Sequence, residues 1–359
     1  MSHNPLTDWL RHRLALGGAD LLRPITRSDL EAHQLRHLRE TLTCAMKSRH
    51  YAERLRTPQL HASTPLGMLQ SLPFTHPAEL FSDPLAFMCA PPSEADRIVT
   101  LPTSGTTGAP KRIYFSEAEL SATEHFFYFG MQNIAQGHSR VMVFMRGGTP
   151  DGFAVPGGVC DLLARALAAR DCTAIAYGEL HSDEAVAEAA RALRKSGADC
   201  VVGTAAQMLR LARCAPQPAV KSVLLSADNI PAENVAELSK LWNCNVFRHY
   251  GMTETAFGGA VDCHAVASGS SVSGSTANDR AAQNHGMHIR EPDMIFEIID
   301  PETGAQIADG ECGEIVLTTL TRRVMPLIRY RTGDFSRILP EKCPCGCILK
   351  RLDNVTGHA

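Results

Sequence analysis

The chain has 359 residues, enough for one large domain with subdomains or for two domains, and 44% of them are hydrophobic, which is ample for a buried core. The formal net charge is −3 and no long block of one sign occurs, so a nucleic-acid partner held by phosphate neutralisation is excluded. No run of about 18 apolar residues is present and the first residues have no apolar core, so we expect no membrane span, no secretory leader and a cytoplasmic protein.

The first part of the chain is expected to be a helix followed by an irregular arm. Ser28 and Glu31 have the spacing of a capping box, and leucines recur at helical spacing after them, so the pattern predicts a helix to about Tyr51. Between Pro58 and Pro92 the prolines are too frequent for long elements. We expect an extended arm there, lying over a larger body.

From Ser116 onward, helices and strands alternate. Ser116 and Glu119 form a second capping box, which predicts a helix to about Ile134. The strands predicted after it are 141–145, 173–177, 199–202, 222–226 and 245–249, and the helices between them are 159–169, 182–195, 205–213 and one opened by Pro231. Such alternation predicts an α/β fold, with a mostly parallel sheet flanked by helices and ligands at the carboxyl ends of the strands.

After about Gly258 the helical patterns stop. The predicted strands, separated by turn residues, are 294–299, 314–319 and 327–331. They predict a small antiparallel β subdomain. The parts of the chain are therefore predicted to be an α/β core over 1–258, a β-rich subdomain over 259–352 and a short C-terminal remnant over 353–359.

The segment from Leu101 to Lys111, LPTSGTTGAPK, has the composition of a phosphate cradle. Its two glycines free the backbone to turn N–H groups toward one point, its hydroxyl residues add donors and its lysine adds a cation. These residues are Gly105, Gly108, Thr103, Ser104, Thr106, Thr107 and Lys111. It is not a Walker loop, because Pro110 and Arg112 stand where that pattern has Gly and Ser or Thr. The alternative is a polar surface loop before a strand.

Two further segments supply carboxylates. Arg248–Thr255, RHYGMTET, follows a predicted strand at the edge where such a sheet binds ligands, and Glu254 would suit Mg²⁺, which prefers one or two carboxylates together with phosphate oxygens. Arg329–Asp334, RYRTGD, places Asp334 after a tight turn, where it would accept hydrogen bonds from two ribose hydroxyls. The alternatives are a solvated helix start for Glu254 and a turn cap for Asp334.

The three segments resemble three signature motifs of the adenylate-forming superfamily, which includes acyl-CoA synthetases, luciferases and peptide-synthetase adenylation domains, and they occur in that superfamily's order. The matching stretches are Thr103–Lys111, Tyr250–Glu254 and Tyr330–Asp334. Three further stretches are similar to the phenylacetate–CoA ligase-like branch: MPLIRYRTGD from Met325, CPCG from Cys343 and GMHI from Gly286.

The resemblance implies ATP-dependent adenylation of a carboxylic acid, by analogy an aromatic one, with release of pyrophosphate and transfer of the acyl group to CoA or another acceptor. It implies catalytic roles for Lys111, Thr107 and Glu254, the last two placing Mg²⁺. The nucleotide-binding residues that it implies are Thr103, Ser104, Gly105, Thr106, Gly108, Ala227, Asp228, Tyr250, Gly251, Thr253, Asp334 and Arg351. Catalysis would rest on alignment and on neutralising phosphate charge, since no protein nucleophile is needed.

In that superfamily a hinge leads to a mobile lid domain that carries a catalytic lysine. Arg351–Asn354 resembles the hinge, with Asp353 as its pivot, and the chain stops at Ala359, so we expect the lid to be absent. We therefore predict that ATP binds but that unaided adenylation is slow. The alternatives are a non-catalytic nucleotide- or acyl-adenylate-binding protein, or the large subunit of an enzyme whose lid lies on a separate chain. An acceptor protein and a homodimer are the other partner states left open.

A possible zinc site is predicted in the β-rich part. The chain has twelve cysteines and no secretory leader, which favours thiols or a metal over disulfides. The candidate ligands, which resemble the metal ligands of the phenylacetate–CoA ligase-like branch, are Cys263, His288, Cys343 and Cys345, with Cys347 and His264 as substitutes. Four protein ligands leave no open position, so such a zinc would be structural. The alternative is a cluster of reduced thiols.

The pocket for the acid is predicted beside three phenylalanines. It would lie between the helix that carries Phe126, Phe127 and Phe129, the glycine-rich loop 146–158 and Gly203–Thr204. The alternative is that these aromatic side chains belong to the core.

Overall fold

The structure is a computed structural model that describes residues 4–17, 23–55, 62–101, 111–135, 137–149, 151–214, 216, 219–226, 230–263 and 285–358. The helices of these residues are α1 Pro5–Arg13, α2 Arg27–Ala45, α3 Arg49–Arg54, α4 Pro65–Leu69, α5 Pro77–Ser82, α6 Glu117–Met131, α7 Val159–Ala168, α8 Asp183–Ser196, α9 Ala205–Cys214 and α10 Ala232–Trp242. Short 3₁₀ turns lie at Pro84–Phe87, Pro92–Glu94 and Thr253–Thr255.

The strands are β1 Arg97–Leu101, β2 Lys111–Phe115, β3 Arg140–Phe144, β4 Thr173–Ala176, β5 Cys200–Gly203, β6 Ser222–Leu225, β7 Asn245–Tyr250, β8 Ala260–Val261, β9 Met287–Ile289, β10 Met294–Ile299, β11 Gly313–Thr319, β12 Tyr330–Ser336, β13 Ile338–Leu339, β14 Arg351–Leu352 and β15 Thr356–His358. They form a nine-stranded sheet in the order β13-β14-β9-β8-β7-β6-β5-β3-β4, a four-stranded sheet in the order β10-β11-β12-β15 and the hairpin β1-β2.

The predicted α/β fold is confirmed. Strands β7, β6, β5, β3 and β4 pair in parallel, and helices cover both faces of this part of the sheet. Side chains alternate between the two faces, as in β3, where Val141 and Val143 pack in one apolar core while Met142 and Phe144 pack in the other. The four-stranded sheet is antiparallel throughout, as expected for the small β-rich part.

Two predicted helix starts have different outcomes. The capping box at Ser116 is confirmed, because its hydroxyl accepts from the Glu119 backbone N–H while the Glu119 carboxylate accepts from the Ser116 N–H. The capping box predicted at Ser28 is wrong. Thr26 and Asp29 form the box instead, at the same spacing two residues earlier, so α2 begins at Arg27.

The strand predicted at 327–331 is also wrong. Leu327 and Ile328 are fully buried, which explains the apolar signal, but the strand there, β12, begins only at Tyr330. Arg329 interrupts the extension, because its φ of 45° lies in the left-handed region that a strand residue does not adopt.

The large sheet continues past the predicted division at 258. Strands β8, β9 and β14 add to β7 in antiparallel fashion. This arrangement brings residues from the last hundred positions beside the end of β7. The three-part division stays a prediction. Among the residues described here, no helix is long and apolar enough to cross a membrane.

Candidate active site

Glu254 lies in a buried turn just after β7. The 3₁₀ turn that contains it leaves the carboxylate 1% exposed, and the hydroxyl of Tyr330, at the start of β12, donates a 2.8 Å hydrogen bond to its Oε1. The bond joins the second signature segment to the third across 76 positions of sequence.

A second hydrogen bond joins the same two segments, this time from a tyrosine of the second segment to a carboxylate of the third. The hydroxyl of Tyr250, at the end of β7, donates to Oδ2 of Asp334 on β12 at 2.8 Å. Each segment therefore contributes one tyrosine and one carboxylate, and each tyrosine binds the carboxylate of the other segment. The crossed pair ties the Glu254 turn to β12, which carries Asp334.

Both tyrosine hydroxyls remain protonated donors near neutral pH. Burial, followed by the neighbouring Asp334 carboxylate, holds the pKa of Tyr250 well above its ordinary value of 10.0. Burial also raises the pKa of Tyr330. Glu254 and Asp334 therefore keep these two hydrogen-bond donors at neutral pH, where the phosphate groups of a nucleotide are ionised.

Gly251 is required by close backbone packing rather than by its own dihedral angles. A Cβ at this position would lie 2.3 Å from the carbonyl oxygen of Phe257 and 2.6 Å from Cε1 of His249. The chain can therefore turn from β7 into the Glu254 turn only without a side chain here.

For the predicted phosphate cradle, the structure describes only the two flanking residues, Leu101 and Lys111. Lys111 is the first residue of β2 and pairs in register with Leu101 of β1, so the cradle connects two antiparallel strands. The predicted residues Thr103, Ser104, Gly105, Thr106, Thr107 and Gly108 lie outside the described residues, as do Ala227 and Asp228.

Two further predicted nucleotide residues sit in different surroundings. Thr253 is buried beside Glu254, and its carbonyl accepts from Arg322 at 3.4 Å. Arg351 lies in β14, where its guanidinium donates to the carbonyls of His285 and Glu341. None of its described contacts reaches Asp334, so its predicted role at the ribose stays a prediction.

The four predicted zinc ligands converge. Their ligand atoms all lie within 4.8 Å of one another, although they come from β8–β9 and from the loop before β14. Sγ of Cys263 is 3.7 Å from Sγ of Cys343, and Sγ of Cys345 is 3.3 Å from Nε2 of His288. A tetrahedral zinc with Zn–S bonds of about 2.3 Å has sulfurs about 3.8 Å apart, so the two short distances, 3.7 and 3.3 Å, are close to its edges.

The groups around this cluster orient it. The carbonyl of Leu349 lies 3.2 Å from Nδ1 of His288 and accepts its N–H, so the neutral form of this imidazole has its lone pair on Nε2, toward the thiols. Asn4 donates from Nδ2 to Sγ of Cys345 at 3.0 Å, and the Cys347 backbone N–H donates to the same sulfur. Cys347 is buried but contributes no atom to the four-atom group.

A mostly apolar cavity lies beside the carboxyl ends of β6 and β7, near the predicted acid pocket. It is partly open to solvent. Phe126 and Phe127 line it, as predicted, but among its described lining residues there is none from Gly203–Thr204 or from the loop 146–158. Phe129 does not line it and instead packs against neighbouring rings, including His125.

Sequence reasoning assigned no role to Tyr330 or His249, and it expected Ser226 to line the adenine site together with Ala227 and Asp228. Tyr330 lies in the third signature motif, and its position four residues before Asp334 on an extended strand was the available signal. His249 precedes Tyr250 and Ser226 directly follows β6, so both stand where a parallel sheet presents side chains to a ligand.

The fold and this arrangement define a protein of the adenylate-forming superfamily. The chain belongs to the AMP-binding enzyme family, which matches residues 25–321. The phenylacetate–coenzyme A ligase of Thermus thermophilus is 38% identical over 82 residues, and that of Aromatoleum evansii is 43% identical over 83 residues. Each match covers 23% of this chain and 18% of the relative, so only a small part of those enzymes is compared directly.

A solved structure supports the same fold over nearly the whole chain. The crystal structure of 2-hydroxyisobutyryl-CoA ligase, in complex with its acyl-AMP and CoA, superposes with a TM-score of 0.77 and 18% identity. The match covers 93% of this chain and 69% of that one. At this identity the likeness concerns the fold.

Proposed function

We propose that the chain binds Mg²⁺-ATP and adenylates a carboxylic acid, releasing pyrophosphate. The observation that carries the proposal is the crossed pair of hydrogen bonds that joins Glu254 and Asp334 through Tyr330 and Tyr250. A buried carboxylate just after β7 and a half-buried one on β12, linked by these bonds, suit a ligand that presents a metal ion and ribose hydroxyls.

In this proposal each group has one task. Glu254, with Thr107, would hold Mg²⁺, and Asp334 would accept from the ribose hydroxyls. Lys111 and the cradle would neutralise the β and γ phosphates. Bound Mg²⁺ supplies charge neutralisation for the leaving pyrophosphate. The protein then aligns the acid with the α-phosphorus and needs no covalent intermediate of its own.

Calorimetry with Mg²⁺-ATP, together with mass detection of acyl-adenylates from an acid panel, tests the proposal. Glu254→Gln should weaken Mg²⁺-ATP binding at least about tenfold, because it removes a charge-assisted contact. Glu237→Gln, on an exposed face of α10, is the matched control and should bind as the wild type does. Equal binding by wild type and Glu254→Gln would contradict the proposal. Binding without any adenylate would favour the non-catalytic alternative.

We further propose CoA as the acyl acceptor and an aromatic acid as the substrate, by analogy with the phenylacetate–coenzyme A ligases that the chain matches. Mass detection of acyl-CoA after incubation with Mg²⁺-ATP, CoA and a panel of aromatic and aliphatic acids tests both assignments. Acyl-adenylate without acyl-CoA would contradict the acceptor, and a preference for aliphatic acids would contradict the substrate class.

We propose a structural zinc ion at the Cys263, His288, Cys343 and Cys345 cluster. Three thiols and one imidazole with an oriented Nε2 fit zinc in number, chemistry and spacing. Zinc would tie the loop before β14 to β8 and β9, and so to the end of β7.

Elemental analysis of protein purified without added zinc tests this site. We expect about one zinc per chain in the wild type and a large loss in Cys345→Ser. Cys214→Ser, at an exposed cysteine, is the control and should keep its zinc. A wild-type protein without zinc, and unable to take it up, would leave the reduced-thiol alternative.

A further inference from the structure

The cavity beside β6 and β7 contains a bonded pair of polar side chains in an otherwise largely apolar lining. Oγ of Ser226 and Nδ1 of His249 are 2.8 Å apart. Both residues are buried, with His249 only 7% exposed. Phe127 packs edge-on against the imidazole, which fixes the ring at the cavity wall.

The second nitrogen of His249 has no hydrogen-bond partner within the part of the chain that the structure describes. Nε2 is shielded from solvent and makes no hydrogen bond to any described residue. A buried polar atom without a partner costs free energy, and a ligand that supplies the missing bond recovers it. The cavity is the space next to this ring from which such a group can come.

The charge state of Ser226 and His249 restricts which chemical group of a ligand can bind Nε2. Burial, followed by the nearby Arg290 guanidinium, lowers the pKa of His249 to about 4, so the imidazole is neutral at pH 7. Among the described residues that line the cavity, none carries a formal charge. A second carboxylate or an ammonium group on the ligand would therefore be buried without a counter-charge.

The pair can serve as donor or as acceptor. The Ser226 hydroxyl rotates and can donate to Nδ1 or accept from it, so Nε2 can carry the proton or the lone pair. A hydroxyl group on the ligand matches both states, because it also donates and accepts.

We propose that Ser226 and His249 recognise a hydroxyl group on the acid, so that the preferred substrates are monocarboxylic acids with a compact, uncharged body and one hydroxyl. This inference rests on the proposed function, since the cavity receives the acid only if the chain makes acyl-adenylates. It makes His249 a specificity-determining residue and Ser226 the residue that positions it.

Hydrolysis-resistant acyl-sulfamoyl adenosines test the proposal without turnover. The probes are matched pairs with and without one hydroxyl: phenylacetyl against its three ring-hydroxylated isomers and its 2-hydroxy form, and 3-methylbutanoyl against its 3-hydroxy form. Calorimetry measures each Kd with the full chain. We expect at least one hydroxylated probe to bind about tenfold or more tightly than its parent.

Three variants assign the preference to the pair. His249→Phe should lose the hydroxyl preference, so that each hydroxylated probe binds within about threefold of its own parent probe. Ser226→Ala should reduce the preference, and it keeps the test available if His249→Phe does not fold. His50→Phe is the control, because Nε2 of His50 also lacks a described partner but its ring stacks on Phe87, outside the cavity lining.

The outcomes separate this inference from the proposed function. Parent probes that bind while no hydroxylated probe is preferred would overturn the inference and leave adenylation standing. The same holds if His249→Phe keeps the preference. If neither the probes nor Mg²⁺-ATP bind, the proposed function fails and the inference fails with it. A shift of the His249 ring signals in NMR on adding the preferred probe, but not its parent, would support direct contact.

Discussion

Replacing Asp262 by alanine should destabilise the protein strongly, because it breaks an ion pair buried beside the candidate site. Asp262 is 0% exposed and Arg248 is 6% exposed. The carboxylate accepts from Nε and Nη2 of Arg248 at 2.8 and 2.9 Å, and from the Arg248 backbone N–H at 2.8 Å. These bonds fasten β7 to the segment that ends at Cys263, a ligand of the proposed zinc site.

The expected cost follows from those three bonds. Hydrogen bonds to a charged group contribute about 1.5–3 kcal/mol each, so three at the lower limit give about 4.5 kcal/mol. This agrees with the loss of about 3–5 kcal/mol typical when one partner of a buried pair is removed and the other charge is left uncompensated. About 4.5 kcal/mol is a large share of the 5–15 kcal/mol by which domains are usually stable.

Urea unfolding at pH 7 with zinc present measures this effect, since urea does not screen charges. Glu237→Ala is the matched control. It removes an equally bidentate contact, with Nε and Nη2 of Arg213 both 2.8 Å from the carboxylate, but on the exposed surface. We expect no resolvable shift of its unfolding midpoint, because water replaces the exposed contact.

A double variant separates charge from packing. Replacing Arg248 by Met together with Asp262 by Leu removes both charges, and it should cost less than Asp262→Ala alone. The reasoning is refuted if Asp262→Ala shifts the midpoint no more than Glu237→Ala does, or if the double variant is less stable than the single one.

Three further outcomes are expected. Tyr330→Phe removes the hydrogen bond to the buried carboxylate of Glu254 and should lower the free energy of unfolding in urea by about 1.5–3 kcal/mol. Calorimetry should show weaker Mg²⁺-ATP binding, and unchanged binding would argue against a role at the metal. Gly251→Ala should abolish Mg²⁺-ATP binding by displacing the backbone, whereas Gly17→Ala, which meets no atom within 4 Å, should not. Burial lowers the pKa values of His33 and His50 from 6.5 to about 4. Between these two pH values the unfolded chain binds more protons than the folded one, so stability should fall from about pH 6.5 toward pH 4. A melting temperature that rises on acidification would contradict this sign.

Much of the fold was predictable from the sequence, because its main signals are local. The alternation of strands and helices from Ser116 to Tyr250 follows from side-chain periodicity, which depends on residues only a few positions apart. The capping-box rule was ambiguous near Ser28, because Thr26 and Asp29 have the same spacing as Ser28 and Glu31. It was wrong at 327–331, where a left-handed Arg329 breaks an apolar run.

The sequence alone determined which chemical groups are available: the hydroxyl-rich cradle segment, the two carboxylate motifs and the cysteine and histidine set. Only the tertiary structure decided which of them meet. The bonds from Tyr330 to Glu254 and from Tyr250 to Asp334 span 76 and 84 positions, and the Ser226–His249 contact joins two neighbouring parallel strands. Such meetings depend on strand order and register, which are set by the packing of the whole sheet and leave no trace in any short stretch of sequence.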